Sequence, residues 1–220
     1  FSVFRRELDI ALPPLSEQSK IATVLYTVDQ AIEKTEEIIG RIERLRTGLI
    51  EHLTVKGVGH DEFKQIDISP RYLDVEIPNT WKKVSFESVS TNITYGFTNP
   101  MPDAESGPWM ITAKDVGNGK INYSEARKTT PEAYSERLTS KSRPEPGTVL
   151  ITKDGTLGDV GIVDRDNICI NQSVASINPI KEKILPEFLA LTLKSPITKE
   201  LIEAYNPQTT IGHIKISEMA

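Results

Sequence analysis

Residues 12–53, LPPLSEQSKIATVLYTVDQAIEKTEEIIGRIERLRTGLIEHL, pass from a proline pair through a serine into about ten turns of unbroken helical pattern. Pro13 and Pro14 stop any earlier helix. Ser16 supplies an N-cap, and Glu17 stands in the first turn, at the positive end of the helix dipole. From there apolar residues fall at Ile21, Leu25, Val28, Ile32, Ile39, Ile42 and Leu49, with Thr35 and Arg46 in the two gaps. The steps alternate between four and three, a heptad seam of a and d positions. Glu33, Lys34, Glu36, Glu37, Arg41, Glu43 and Arg44 make a solvated face with i to i+4 pairs such as Glu37 with Arg41. Gly57 and Gly59 end the element after about 37 residues, roughly 55 Å at 1.5 Å per residue. A single helix of this length cannot bury its seam on itself. It requires an antiparallel partner helix, from a second copy or from the rest of a longer chain.

The 220 residues suffice for one core of ~100–150 residues plus an appendage, and the helix is the appendage. Charged residues make up 26% and hydrophobic residues 38%, with no run of 18 apolar positions and no charged-then-apolar leader, so a soluble, cytoplasmic protein with no membrane partner is expected. The single cysteine, Cys169, lies in the apolar run NICI and reads as a small core residue. The chain opens on Phe1 instead of a methionine, which is expected of a fragment or a processed product.

Residues 57–80 carry Gly, Pro, Asp and Asn punctuation without a sustained period and read as a linker with short extended pieces. After Trp81 come short alternating runs separated by turns: KVSFESVS, PWMITAKDVGNGKI, GTVLITKDGTLGDVGIVDRDNICI and SVASINPI. GNG at 117–119 and KDGTLGDVG at 153–161 are hairpin turns, and Pro186 and Pro196 open helices over 186–195 and 196–205. The expected fold class is α+β, a long coiled-coil-forming helix at 16–56 followed by a mixed α/β domain of short strands and a few helices at 81–220.

The opening LPPLSEQ and the helix through TVKG resemble the spacer-helix region of the DNA specificity subunits of type I restriction-modification enzymes, where a Pro-Pro-Leu-x-Glu-Gln opening precedes a long spacer helix. The following domain resembles their target recognition domain at Trp81, YGFT (Tyr95 to Thr98), GPWMITAKDV, EPGTVLITKDGTLGDVGIV, NQSVASI and LPEFLALTLKS. Intact family members carry two recognition domains and two spacer helices. One of each stands here, so the resemblance implies a half-subunit or an excised repeat, with residues 1–15 closing a preceding recognition segment. It further implies two antiparallel spacer helices acting as a ruler, each recognition domain reading half of a split DNA target. A span of roughly 55 Å corresponds to between one and two turns of B-DNA, at ~34–36 Å per turn. The resemblance implies no chemistry and no cofactor on this chain. Methyltransferase subunits that carry S-adenosylmethionine would dock on it, and a motor-nuclease subunit would cut.

The residues themselves say less about DNA. Net charge is −5. Residues 1–80 hold 10 basic and 14 acidic side chains, and residues 81–220 hold 16 and 17. Within 114–153 the balance turns to +3 through Lys114, Lys120, Arg127, Lys128, Arg137, Lys141, Arg143 and Lys153, the candidate phosphate-facing surface, although an ordinary solvated face has the same composition. Base reading needs paired donors and acceptors, and the turn residues offering them are Lys114, Thr152, Lys153, Asn171, Gln172 and Ser173, with Gln208, Thr209, Thr210 and His213 near the end. Asn171 and Gln172 have a second use, tying down a turn. Tyr95 and Phe97 flank Gly96 and suit thymine methyls, while core packing accounts equally for Phe97. His52, His60 and His213 have no carboxylate or cysteine at ligand spacing, so no metal site is expected.

Two other classes remain open. A DNA-modifying enzyme would need a phosphate-binding loop or a nucleophile and base pair, and GTLGDVG is not a GxGxxG that opens a helix. A coiled-coil scaffold without DNA readout would explain 16–53 and leave the domain at 81–220 without a role.

Overall fold

A computed structural model describes residues 9–67, 74–155 and 157–205. It divides into two compact units, the second beginning at Thr47. Helix α1, Leu15–Lys56, runs for 42 residues, about 63 Å at 1.5 Å per residue. Its start differs from the expected cap. The Pro14 carbonyl accepts the Glu17 and Gln18 N–H groups at 2.9 Å, and Ser16 lies inside the first turn. Gln18 Nε2 adds a 2.8 Å bond to the Pro13 carbonyl, so the proline pair closes the helix with its own backbone. At the other end Gly57, at φ 67°, donates to the Leu53 carbonyl in the left-handed C-terminal position. No residue of α1 is buried, and Ile21, Leu25, Val28, Ile32, Ile39, Ile42 and Leu49 are between 46% and 59% exposed.

The second unit starts well before residue 81, at Thr47, and the short extended pieces expected within 57–80 pair with each other. Strands β1 (Phe63–Asp67) and β2 (Asp74–Pro78) pair antiparallel. The end of α1 is tied to them by an ion pair from Lys56 to Glu76 and by the Lys56 ammonium lying 4.5 Å from the Phe63 ring. Trp81 then meets His60 edge-on at 6.1 Å and Phe188 at 6.4 Å.

The rest is layered. After the short helix α2 (Phe86–Val89) come β3 (Ser90–Tyr95), β4 (Ala104–Ile111), β5 (Val116–Gly117), β6 (Lys120–Ile121), β7 (Arg127–Lys128), helix α3 (Pro131–Arg137), β8 (Val149–Thr152), β9 (Val160–Ile162), β10 (Ile168–Ile170), β11 (Val174–Pro179), α4 (Pro186–Lys194) and α5 (Pro196–Tyr205). One sheet has the order β3-β11-β8-β9 and is antiparallel throughout; the other has the order β10-β4-β7. Strands β10 and β4 run parallel, pairing Ile168 with Trp109 and Ile170 with Ile111. A parallel strand packed on both faces is apolar throughout, which is the reason for the run ICI.

Ile111, Ile168 and Ile170 meet Leu150 and Val174 between the sheets. On the outer face of the four-stranded sheet Ile151, Val160 and Ile177 pack on Leu189 and Leu193 of α4. On the far side of the other sheet Met110 and Cys169 pack on Leu138, with Tyr134 of α3 at the edge. Burial pushes the Cys169 thiol up to about 12, so at about pH 8 it stays protonated and unreactive. Ellman's reagent is expected to find no accessible thiol in the native chain and one equivalent after denaturation.

Both anticipated hairpin turns are present. Asn118 and Gly119, at φ 53° and 81°, form the two-residue turn joining β5 to β6, the conformation Asn-Gly favours. Helix α3 was not anticipated; Thr130 caps it by accepting the Ala133 N–H, with Pro131 at its first position.

Candidate nucleic-acid interface

Four loops converge where strands β3, β4, β8 and β10 end. The loop after β3 is held to β10 by the Phe97 N–H donating to the Ile170 carbonyl at 3.0 Å, and the Gln172 N–H returns to the Phe97 carbonyl at 2.9 Å. Between these bonds Gly96 is pressed against backbone, leaving no room for a side chain. The Lys153 N–H, after β8, donates to the Ser173 carbonyl at 2.9 Å. After β4 the Ala113 N–H donates to Ser173 Oγ at 3.0 Å, and that hydroxyl donates to Asn171 Oδ1 at 2.6 Å. The turn Asn171–Ser173 thus joins three strand ends. Asp115, buried beneath, accepts the Thr112 N–H and hydroxyl at 2.9 and 2.7 Å.

This geometry sorts the residues named from sequence. Lys114 and Gln172 are exposed at the loop cluster, beside Tyr95, which is 47% exposed. Both can present donors to a base edge. Thr152 is removed from the reading set: it is fully buried, and its Oγ1 accepts the Asp159 N–H at 2.9 Å. Asn171 Oδ1 is occupied by the Ser173 N–H and hydroxyl, so this side chain folds the turn. Ser173 is likewise engaged on both sides. The Lys153 side chain is 6% exposed and paired with Asp154 at 3.1 Å, with the Tyr95 ring 5.7 Å away. Its charge is answered within the loop, and a base would have to displace Asp154 to reach it.

The basic stretch 114–153 does not gather into one surface. Lys120 is exposed on β6; Arg127 on β7 pairs with Asp103 at 3.2 Å, and Lys128 lies 5.4 Å from the Trp109 ring. Lys141 and Arg143 lie around the short turn Ser140–Ser142, Arg143 5.4 Å from the Tyr134 ring. Thr209, Thr210 and His213, with Gln208, fall outside the described residues. Sequence reading missed Asn99, exposed on the loop after β3; its signal was an amide directly before Pro100. It also missed a stack in which the Arg165 guanidinium lies 3.9 Å from the Tyr123 ring while the Tyr123 hydroxyl donates to Asp164 at 2.7 Å. Burial, then that carboxylate, raises the Tyr123 hydroxyl well above its ordinary value. Among the described residues no group of three or more His, Cys, Asp or Glu side chains could hold a metal ion, and no helix is long and apolar enough to cross a membrane.

Comparison with known proteins adds a family. A model described as the type I restriction modification DNA specificity domain matches residues 101–220. The EcoBI specificity subunit of Escherichia coli is 30% identical over 199 residues, covering 86% of this chain and 41% of that protein. The MjaVIII specificity subunit of Methanocaldococcus jannaschii is 29% identical over 199 residues, covering 88% and 45%. The chain therefore spans less than half the length of these curated relatives. A solved chain, from a study of complex assembly and conformational transition of the type I R-M system, shares the fold with a TM-score of 0.53 at 17% identity, covering 94% of this chain and 46% of that one.

Proposed function

The chain belongs to the type I restriction modification DNA specificity family, and from that premise we propose that it is a non-catalytic DNA-reading subunit, or one repeat of one, that reads half of a bipartite duplex target. The observation that carries this reading is the loop cluster at the ends of β3, β4, β8 and β10. It holds Tyr95, Lys114 and Gln172 exposed on a scaffold braced by backbone hydrogen bonds. Rigid strand ends with short polar loops suit readout of base edges, since the scaffold loses little freedom on binding. The exposed seam of α1 is assigned to an antiparallel spacer helix, from a second copy or a second repeat. Methyltransferase subunits carrying S-adenosylmethionine and the motor-nuclease subunit are the other partners this reading requires, and all of them meet DNA in the cytoplasm.

Phosphate neutralisation supplies much of the affinity of DNA-binding proteins, and residues 81–220 hold 16 basic against 17 acidic side chains. The isolated chain is therefore expected to bind duplex DNA weakly, with sequence-specific binding appearing once a methyltransferase subunit is added. A gel-shift titration with and without that subunit measures this. Tight specific binding by the chain alone at physiological salt would contradict it, and metal-dependent cleavage by the purified chain would replace the reading with an enzymatic one.

A further inference from the structure

Two neighbouring hollows in the second unit, of about 290 and 520 Å³, share Thr94 and Lys141 in their walls and lie end to end as a groove would. It begins at the loop Tyr95–Met101, beside the candidate reading residues, and continues along β3 and β11 to Gly147 and Lys181. Its floor departs from the pattern of its own sheet. Along β11 the face that carries Val174 into the core between the sheets continues with Ser176 and Asn178, while Ala175 and Ile177 face α4. Thr94 lies opposite Ser176, and Asn92 opposite Asn178. The Thr148 hydroxyl donates to Asn178 Oδ1 at 2.8 Å, which turns the amide's NH2 end to other partners. Ser176 and Thr148 are 3% and 4% exposed. Burying hydroxyls costs stability unless they are hydrogen-bonded. Here Thr148 is bonded to Asn178 while Ser176 Oγ donates to the Thr94 carbonyl at 3.5 Å, so the floor is a satisfied polar surface where valines would continue a core.

The rim is basic. Arg137, Lys141, Arg143 and Lys181 stand against one acid, Glu145. Arg127, Lys153 and Arg165 each have a carboxylate partner within 3.2 Å, whereas no carboxylate pairs with the four rim cations among the described residues. Four cations thus stand against one acid along a groove that leads away from the reading loops, although Lys114, Lys120 and Lys128 outside it also have no carboxylate partner among the described residues.

Resting on the DNA-reading function above, we propose that this groove is the track of one sugar-phosphate strand, with Lys141 as its central phosphate contact and Arg143 and Lys181 flanking it. Phosphate contacts position a protein on the duplex and base contacts specify the sequence, so the groove and the loop cluster divide these two tasks.

The test is fluorescence anisotropy of the full chain with mixed-sequence duplexes across a salt series, comparing Lys141→Glu and Lys181→Glu with Lys82→Glu, an exposed lysine outside the groove. Each groove variant is expected to weaken binding about tenfold, equally for all sequences, and to make the salt slope shallower by about one, while Lys82→Glu stays within about twofold. Groove variants no weaker than Lys82→Glu, in a chain that does bind duplex, overturn the groove and leave the DNA-reading function standing. Titration of the isotope-labelled chain with inorganic phosphate reads the groove without any duplex. Saturable amide shifts at Lys141 and Gly147, lost in Lys141→Glu, support the phosphate site; no saturable shift there overturns it. A wild-type chain that shows those phosphate shifts and binds no duplex even at low salt overturns both the strand track and the DNA-reading function.

Discussion

Gly96→Ala is expected to lower the thermal stability of the second unit sharply. A β-carbon at this position would lie 1.7 Å from the Ile170 carbonyl oxygen, 2.1 Å from its carbon and 2.7 Å from the Asn171 nitrogen. These are backbone atoms of a strand end that cannot withdraw. Ile170 is fully buried, its carbonyl accepts the Phe97 N–H, and the Asn171 N–H donates to the Ile111 carbonyl at 3.2 Å. Relief requires moving the loop after β3 away from β10, which breaks the Phe97 and Gln172 bonds together. Overpacking of this kind costs about 3 kcal/mol. For a unit of this size that corresponds to a fall in Tm of about 6–12 °C. Gly117→Ala is the matched control, with no atom within 4 Å of its added carbon, and is expected to stay within about 0.5 kcal/mol. Thermal melts followed by circular dichroism measure both. Equal melting of the two variants would mean that the loop does not lie against β10, and the candidate interface would lose its frame.

Ile32→Glu is expected to abolish self-association of the chain and leave the second unit folded. Ile32 lies at the middle of a seam that is about half exposed, on a helix none of whose 42 residues is buried. A helix of this composition gains most of its stability from a packed partner face. In a homotypic pair the substitution places a carboxylate in the apolar layer from each copy, at an effective cost of several kcal/mol per ion. Ile32 also lies outside the unit that begins at Thr47, so the melt of that unit should not change. Light scattering decides the first point and circular dichroism the second. A mass unchanged from wild type would show that something other than a second copy covers the seam.

The helix was legible because its signals are local. A three-four apolar rhythm and a terminal glycine are properties of the chain within a few residues, and the structure bears them out, apart from the cap, which Pro14 and not Ser16 provides. The hairpin turn at Asn118–Gly119 was legible for the same reason, since only a few residues adopt positive φ at low cost. At 57–80 the short extended pieces were legible but their pairing was not, because strands this short, separated by six residues, leave no sustained period.

At the candidate site the sequence determined which chemistry was available: amides, lysines and hydroxyls on turns, within one domain of nearly balanced charge. It could not determine their use. Thr152, Lys153 and Asn171 read as free donors and acceptors in a linear chain, yet they are bound by Asp159, Asp154 and Ser173. The basic run at 114–153 likewise looked like one surface and is distributed over β6, β7 and the Ser140–Ser142 turn. Arg137 and Lys141 come together in the groove with Lys181, some forty residues away in the chain. Hydrogen bonding and charge compensation depend on which strand ends meet, and the parallel pairing of β10 with β4 that brings them together is a non-local contact. A local pattern can specify a helix or a turn, whereas the partner of a polar side chain is chosen only when the sheets close.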